Sequence, residues 1–214
     1  MKIATKLDVN RVDHIPTILN QHCPNGRGVE IGVFKGEFSK QILSAWKGTL
    51  YFIDPWRELD PVAYEDASNH ANHSDAYEQA MNNLRGFEDR AFMIRALSHE
   101  VADLFADESL DYVYIDGNHA YDYVKLDLET WYPKLKKGGI LAGHDYISMN
   151  WYADNIGAPN GKDKYIYHYP IESPDKLTYS GLFGVNPAVD EFAEKYNMEF
   201  NVTNEFYGTF YGIK

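Results

Sequence analysis

Two short stretches of the chain hold the residue types that catalysis needs. One is Ile115-Asp116-Gly117-Asn118-His119-Ala120-Tyr121; the other is Gly143-His144-Asp145-Tyr146, which follows Gly138-Gly139-Ile140-Leu141-Ala142. If Asp116 ends one strand, and His144 and Asp145 end its parallel neighbour, all of them meet at one edge of a sheet. Two carboxylates and one or two imidazoles there have two chemical uses. Asp116, His144 and Asp145 could hold a divalent ion. Oxygen ligands suit Mg²⁺, Mn²⁺ or Ca²⁺, and an added imidazole tolerates Mn²⁺, Fe²⁺ or Zn²⁺. Alternatively, His119 or His144 serves as a metal-free general base beside Asp116. The plainer alternative has these side chains capping loop backbone, but acids at both strand ends favour a chemical role.

A second constellation lies earlier. Glu30-Ile31-Gly32-Val33-Phe34-Lys35-Gly36 joins a predicted strand to a predicted helix. Gly32 and Gly36 let the backbone bend tightly and approach a ligand. The helix start that follows favours an anionic group such as a carboxylate. The stretch is not the three-glycine dinucleotide fingerprint. Asp54 ends the next strand, about twenty residues on, where an acid can accept from both ribose hydroxyls. The loop and Asp54 together favour a cofactor that contains a nucleoside. Ser98, after a third strand, could bond the cofactor's base or simply cap a short helix that Glu100 and Val101 continue. His70 and His73 could share a helix face, but such pairs are usually just exposed.

Short apolar runs alternating with helical periodicity must position these residues, which is the pattern of a parallel sheet flanked by helices. Strands are predicted at 28–32, 49–54, 91–95, 110–116 and 140–143, with a last one near 209–213. One helix carries Phe38, Ile42, Ala45 and Trp46 on its apolar face. A long one carries Val124, Leu128, Trp131 and Leu135 and ends at Gly138-Gly139. A third bears Val189, Phe192 and Tyr196 after 181–185. The expected fold is α/β: a Rossmann-like, seven-stranded mixed sheet with helices on both faces, formed by a single domain over 1–214. Residues 1–24 read as an N-terminal helical segment and 57–83 as a polar helical cover. The segment 148–178, rich in Tyr, Asn, Gly and Pro, reads as an insertion that suits a substrate lid or a homo-oligomer contact.

Composition narrows the partners. The chain has 214 residues and a formal net charge of −12, which repels phosphate backbones, so nucleic acid is not an expected partner. Lys134, Lys136 and Lys137 are expected at a helix C-terminus, where cations oppose the dipole. The 17 tyrosines suit a polar pocket with flat walls as well as they suit an aromatic-rich core. The single cysteine, Cys23, rules out an internal disulfide and a multi-cysteine zinc site. With no apolar stretch long enough to span a bilayer and no signal-like start, neither a membrane nor export is expected, which leaves a cytoplasmic setting.

These stretches resemble the class I S-adenosylmethionine-dependent methyltransferases, in particular a small subgroup that includes macrocin-type sugar O-methyltransferases. The resemblance covers roughly residues 25–146, and Asp116-Gly117-Asn118-His119-Ala120-Tyr121 is its most specific element. It implies that Glu30 and Gly32 border the methionine part of S-adenosylmethionine and that Gly36 shapes the same loop. It also implies that Asp54 binds the ribose and that Ser98 lies near the adenine. Asp116 would touch both cofactor and metal, Asp145 would join it on Mg²⁺, and His119 or His144 would be the base or a further ligand. The subgroup's metal enzymes often carry two adjacent acids at the fifth strand end, where this chain has His144-Asp145. The implied activity is methyl transfer to a hydroxyl of a small molecule, such as a sugar. A nucleotide-dependent dehydrogenase is the weaker enzyme alternative, because the third glycine is missing. A non-catalytic cofactor-binding module is the other, though it would need no acids at both strand ends.

Overall fold

The central apolar runs with β-branched and aromatic residues form strands because they bury both faces under helices. A computed structural model describes residues 4–59, 71–146, 171–172, 178–179, 184–205 and 207–214. Among these residues the strands are β1 (Ala4–Lys6), β2 (Arg27–Ile31), β3 (Thr49–Ile53), β4 (Ala91–Ile94), β5 (Leu110–Ile115), β6 (Leu135–Tyr146), β7 (Ile171–Glu172), β8 (Thr178–Tyr179), β9 (Phe200–Val202) and β10 (Gly208–Ile213). The helices are α1 (Arg11–His22), α2 (Glu37–Ala45), α3 (His73–Asn83), α4 (Ser98–Val101), α5 (Tyr121–Trp131) and α6 (Val185–Tyr196).

The main sheet runs β1-β9-β10-β6-β5-β2-β3-β4, and β7 pairs only with β8. From β6 to β4 every pairing is parallel, while β10 runs antiparallel to both β6 and β9. The Rossmann-like, mixed α/β expectation therefore holds, with 8 strands in the main sheet where seven were expected. The extra one is β1, which pairs in parallel with β9 at the far edge. It lies within the N-terminal segment expected to be helical, where only α1 is a helix.

The chain lays down β2, β3 and β4 in one direction and then returns to place β5 beside β2. That reversal opens a crevice at the carboxyl ends of the strands. Register decides what lines it. Ile31 pairs with Ile53 on one side and Ile115 on the other, and Ile115 pairs with Gly143. The next residue on each strand is Gly32, Asp54, Asp116 or His144, so all four emerge at one level.

Two apolar layers sandwich the sheet. Val113 and Ile115 pack with Val124, Leu128, Trp131 and Phe192 under α5 and α6. Tyr112 and Tyr114, alternating with them on β5, pack with Leu19, Ile42, Leu43 and Trp46 under α1 and α2. The helix faces follow the predicted spacing except at two positions. Ala45 is exposed, and Leu43 takes its place in the core. Leu135 is buried, but as the first residue of β6, where it pairs with Leu110. The α5 helix stops at Trp131, so Gly138-Gly139 lies within β6, next to the backbone of the C-terminal Lys214. Lys136 and Lys137 are consequently strand residues. Lys134 and Lys136 pair with Asp107 and Asp111 and do not cap a helix. Val185 begins α6. Residues 60–70 of the expected cover, with His70, fall outside the described residues, as does most of the expected 148–178 insertion.

Candidate functional site

The crevice is a cleft of about 370 Å³ along the β2, β3, β4 and β5 ends, within the range of small-ligand sites. Its floor is the Gly32 turn. Gly32 has φ +79°, and a Cβ there would lie 1.9 Å from the Asp116 carbonyl oxygen, so the crossing of these two strand ends needs glycine. Gly36, at φ +70°, caps α2 and faces Ala80 of α3. It shapes the loop without lining the cleft.

Asp54 holds that loop in shape. Its Oδ2 accepts from the Val33 and Phe34 N–H groups, each at 2.9 Å, and its Oδ1 accepts from the Trp56 N–H at 2.7 Å. Asp54 thus caps backbone on two turns, and the same carboxylate also lines the cleft. Glu30 sits beneath the turn, 3% exposed, and accepts from Ser39 Oγ at 2.8 Å. Burial pushes the Glu30 carboxyl up to about 8, and the nearby Asp116 and Asp54 charges act in the same direction. Ser98 lines the cleft and donates to the buried Asp127 on α5. It does not cap α4, whose N-cap position is Leu97.

The predicted acid–histidine group assembles beside this cleft. His119 Nε2 lies 2.8 Å from Asp145 Oδ2, and His144 Nδ1 lies 3.3 Å from the same oxygen. Asp116 Oδ1 is 3.7 Å from His144 Nδ1 and 3.8 Å from His119 Nε2. Burial opposes ionisation of Asp145, but hydrogen bonds from His119 and His144 outweigh it and hold the carboxyl well below the usual carboxylate range. The Asp145 backbone is left-handed at φ +60°, an uncommon conformation for a residue with a side chain. Potential ligand atoms of Asp116, His144 and Asp145 all lie within 4.8 Å of one another, so the three predicted metal ligands converge. The two histidines differ in access: His119 lines the cleft together with Asp116 and Asp145, and His144 does not.

Two of the cleft residues not singled out from the sequence bond to groups at the site. Arg11, the first residue of α1, reaches across to place Nη1 3.6 Å from Asp116 Oδ2, donates to Tyr114 Oη at 3.2 Å and stacks over Phe38. Nothing near Arg11 in sequence marks it, because its partners lie on distant strands. Asp127 is the other. A lone acid on the apolar side of a helical pattern was the available signal. His73 lines the cleft as the first residue of α3.

The raised Glu30 group has a consequence for stability. An acid whose folded pKa exceeds its unfolded value stabilises the fold fully below about 4.5. That contribution is lost as pH rises toward about 8. The expected slope approaches 1.4 kcal/mol per pH unit at most, roughly one proton's worth. Glu30→Gln keeps a partner for Ser39 and should flatten it in urea unfolding across this range. An identical slope in the variant would assign the pH dependence to another group.

Comparison with known proteins agrees with this architecture. Residues 29–146 match the family model described as "Methyltransferase domain". A 53-residue stretch is 38% identical to the uncharacterized protein y4gI of Sinorhizobium fredii, covering 25% of this chain and 6% of that much longer relative. Among solved structures, a putative caffeoyl-CoA O-methyltransferase from Staphylococcus aureus superposes with TM-score 0.64 at 18% identity, covering 97% of this chain and 85% of that one. The O-methyltransferase TomG from Streptomyces achromogenes, involved in tomaymycin synthesis and solved in complex with SAM, superposes with TM-score 0.54 at 13% identity over 93% and 77% of the two chains. A putative rRNA-methylase from Clostridium thermocellum gives TM-score 0.58 at 13% identity over 97% and 99%. At these identities the likeness is one of fold. No helix among the described residues is long and apolar enough to cross a membrane. Since the family match spans more than half of the chain and coincides with the strands that build the cleft, this chain belongs to the methyltransferase domain family.

Proposed function

We propose that this chain is an S-adenosylmethionine-dependent O-methyltransferase acting on a hydroxylated small molecule, a sugar being one candidate. The observation that carries the reading is the continuity of the cleft. It runs from the Gly32 turn and Asp54 directly to Asp116, His119 and Asp145. The cofactor's chemistry fits this lining. Asp54, Asp116 and Asp145 supply carboxylates, which complement a ligand bearing a sulfonium and an ammonium.

When bound, S-adenosylmethionine supplies a methyl carbon on a positively charged sulfur, and the C–S bonding pair leaves with the sulfur. The rest of the work falls to protein groups. Asp145 accepts from His119 Nε2, which fixes the ring and leaves Nδ1 as the basic nitrogen. His119 then takes the proton of the acceptor hydroxyl as its oxygen attacks in line. The Gly32 turn and Asp54 would hold the cofactor in the same cleft as His119, and such positioning supplies much of the rate. Cleft access favours His119 over His144 as the base.

A divalent cation fits Asp116, His144 and Asp145 by donor type and by their convergence within 4.8 Å. Arg11 and His119 already engage Asp116 and Asp145, so an ion competes with them for the same oxygens. Such a cation would lower the hydroxyl's pKa and orient it.

Calorimetric titration tests the reading. S-adenosylmethionine should bind in the micromolar range and NAD should not. No heat from S-adenosylmethionine at high micromolar concentration overturns the assignment, and preferential NAD binding would revive the dehydrogenase alternative. For the metal, Mg²⁺ should raise the melting temperature of the wild type but not of Asp145→Ala. An equal Mg²⁺ response in both removes Asp145 as a ligand. Screening hydroxylated acceptors for methyl transfer identifies the substrate class. With an accepted substrate, His119→Ala should lower kcat about a hundredfold or more, and a loss of only a few-fold excludes His119 as the base.

A further inference from the structure

The cleft holds a cation that the chemistry above does not use. Arg11 lines it beside Asp116. Its guanidinium lies 4.6 Å over the Phe38 ring, with Nη1 3.6 Å from Asp116 Oδ2 and 3.2 Å from Tyr114 Oη. Thr209 Oγ1 holds Tyr114 Oη in turn at 3.3 Å, and the Arg11 backbone N–H donates to Glu205. The residue is thus anchored at both ends before any ligand arrives. Burial works against its charge, but Tyr114, Asp116 and Asp145 outweigh burial and keep the guanidinium ionised.

Most of its hydrogen-bonding capacity is unspent. The bond from Nη1 to Tyr114 is the guanidinium's one hydrogen bond among the described residues. Nε and Nη2 make none there, and neither is sealed from solvent. With the side chain 26% exposed in the cleft lining, that edge remains within a ligand's reach. An acceptor that fills the cleft strips water from those donors. A neutral hydroxyl matches one of them. A carboxylate matches both, oxygen for N–H along the planar edge and with charge assistance. A phosphate would bring a second negative charge beside Asp116. The cofactor's own carboxylate is better placed at the start of α2 and at Lys35, which lies on the Gly32–Gly36 loop and lines the same cleft.

We infer that Arg11 binds a carboxylate of the acceptor, so that the acceptor is a hydroxy acid, such as a sugar acid or a phenolic acid. The inference rests on the methyltransferase reading above and names its substrate class. The carboxylate pairs with Nε and Nη2 while Nη1 keeps Tyr114 and Asp116, which ties one end of the acceptor beside the base.

Calorimetry on the S-adenosylhomocysteine complex tests this with two matched pairs, glucuronate against glucose and 3,4-dihydroxybenzoate against catechol. In at least one pair the acid should bind about fivefold or more tightly than its neutral partner. A smaller preference in both pairs overturns the inference. In Arg11→Gln, which keeps a donor for Tyr114, the preference should be lost, and its persistence overturns the inference. The same variant should bind S-adenosylhomocysteine as the wild type does. A parallel loss of S-adenosylhomocysteine affinity assigns Arg11 to the cofactor's carboxylate and equally overturns the inference. If Arg11→Gln does not fold, Arg11→Met keeps the stem over Phe38 and is judged by the same criteria. A folded wild type that binds no S-adenosylhomocysteine is a different outcome: it removes the cofactor reading itself, and this inference with it.

Discussion

The hydrogen-bond register of four parallel strands is the constraint on which the site depends. Ile31, Ile53, Ile115 and Gly143 are locked at one level, so the strand ends release Gly32, Asp54, Asp116 and His144 side by side. A slip of one residue on any strand would turn its side chains to the opposite face and withdraw its contribution. The two apolar layers enforce this register, because Val113 and Ile115 must face α5 and α6 while Tyr112 and Tyr114 face α1 and α2. Gly32 carries the tightest demand: its neighbour across the crevice is the Asp116 carbonyl, and no side chain fits between them.

Electrostatics organise what the register has gathered. The cleft brings several carboxyl groups into a partly dry space, where like charges raise one another's cost of ionisation. The protein meets this in three ways. Glu30 and Asp127 are pushed toward the neutral form by burial. Asp54 spends both oxygens on backbone N–H groups of the loop and the following turn. Asp145 is kept charged by two imidazoles. The same chemical group thus takes three roles according to burial and hydrogen bonding. The cationic end of a sulfonium cofactor would join Arg11 as a counter-charge to this set.

Much of this was legible in the chain. The glycine turn, Asp54 and the Asp116–His119 and His144–Asp145 stretches could be read because each follows an apolar run with a clear strand period. The predicted metal trio converges because its members stand at ends of neighbouring strands, which the βαβ pattern already implied. The misreadings cluster where local pattern is ambiguous. Leu135 continued the helical spacing of α5, but pairing with Leu110 drew it into β6 and carried Gly138-Gly139 into the strand. Ala45 fitted the apolar face of α2, but the chain turned so that Leu43 took the core position. The segment Ala4–Lys6 is too short to show a period and becomes a strand only by adding to the edge of β9.

The sequence by itself determined the fold class, the glycine turn after the first strand of the cleft and the residue types able to do chemistry, because periodicity and strand-end motifs are local properties. Only the tertiary structure decided which histidine faces the cleft, that Arg11 spans from the first helix to Asp116, and that Asp127 is buried against Ser98. Those facts depend on contacts between residues far apart in the chain. Such contacts are set by register and helix packing, which no short stretch of sequence encodes alone.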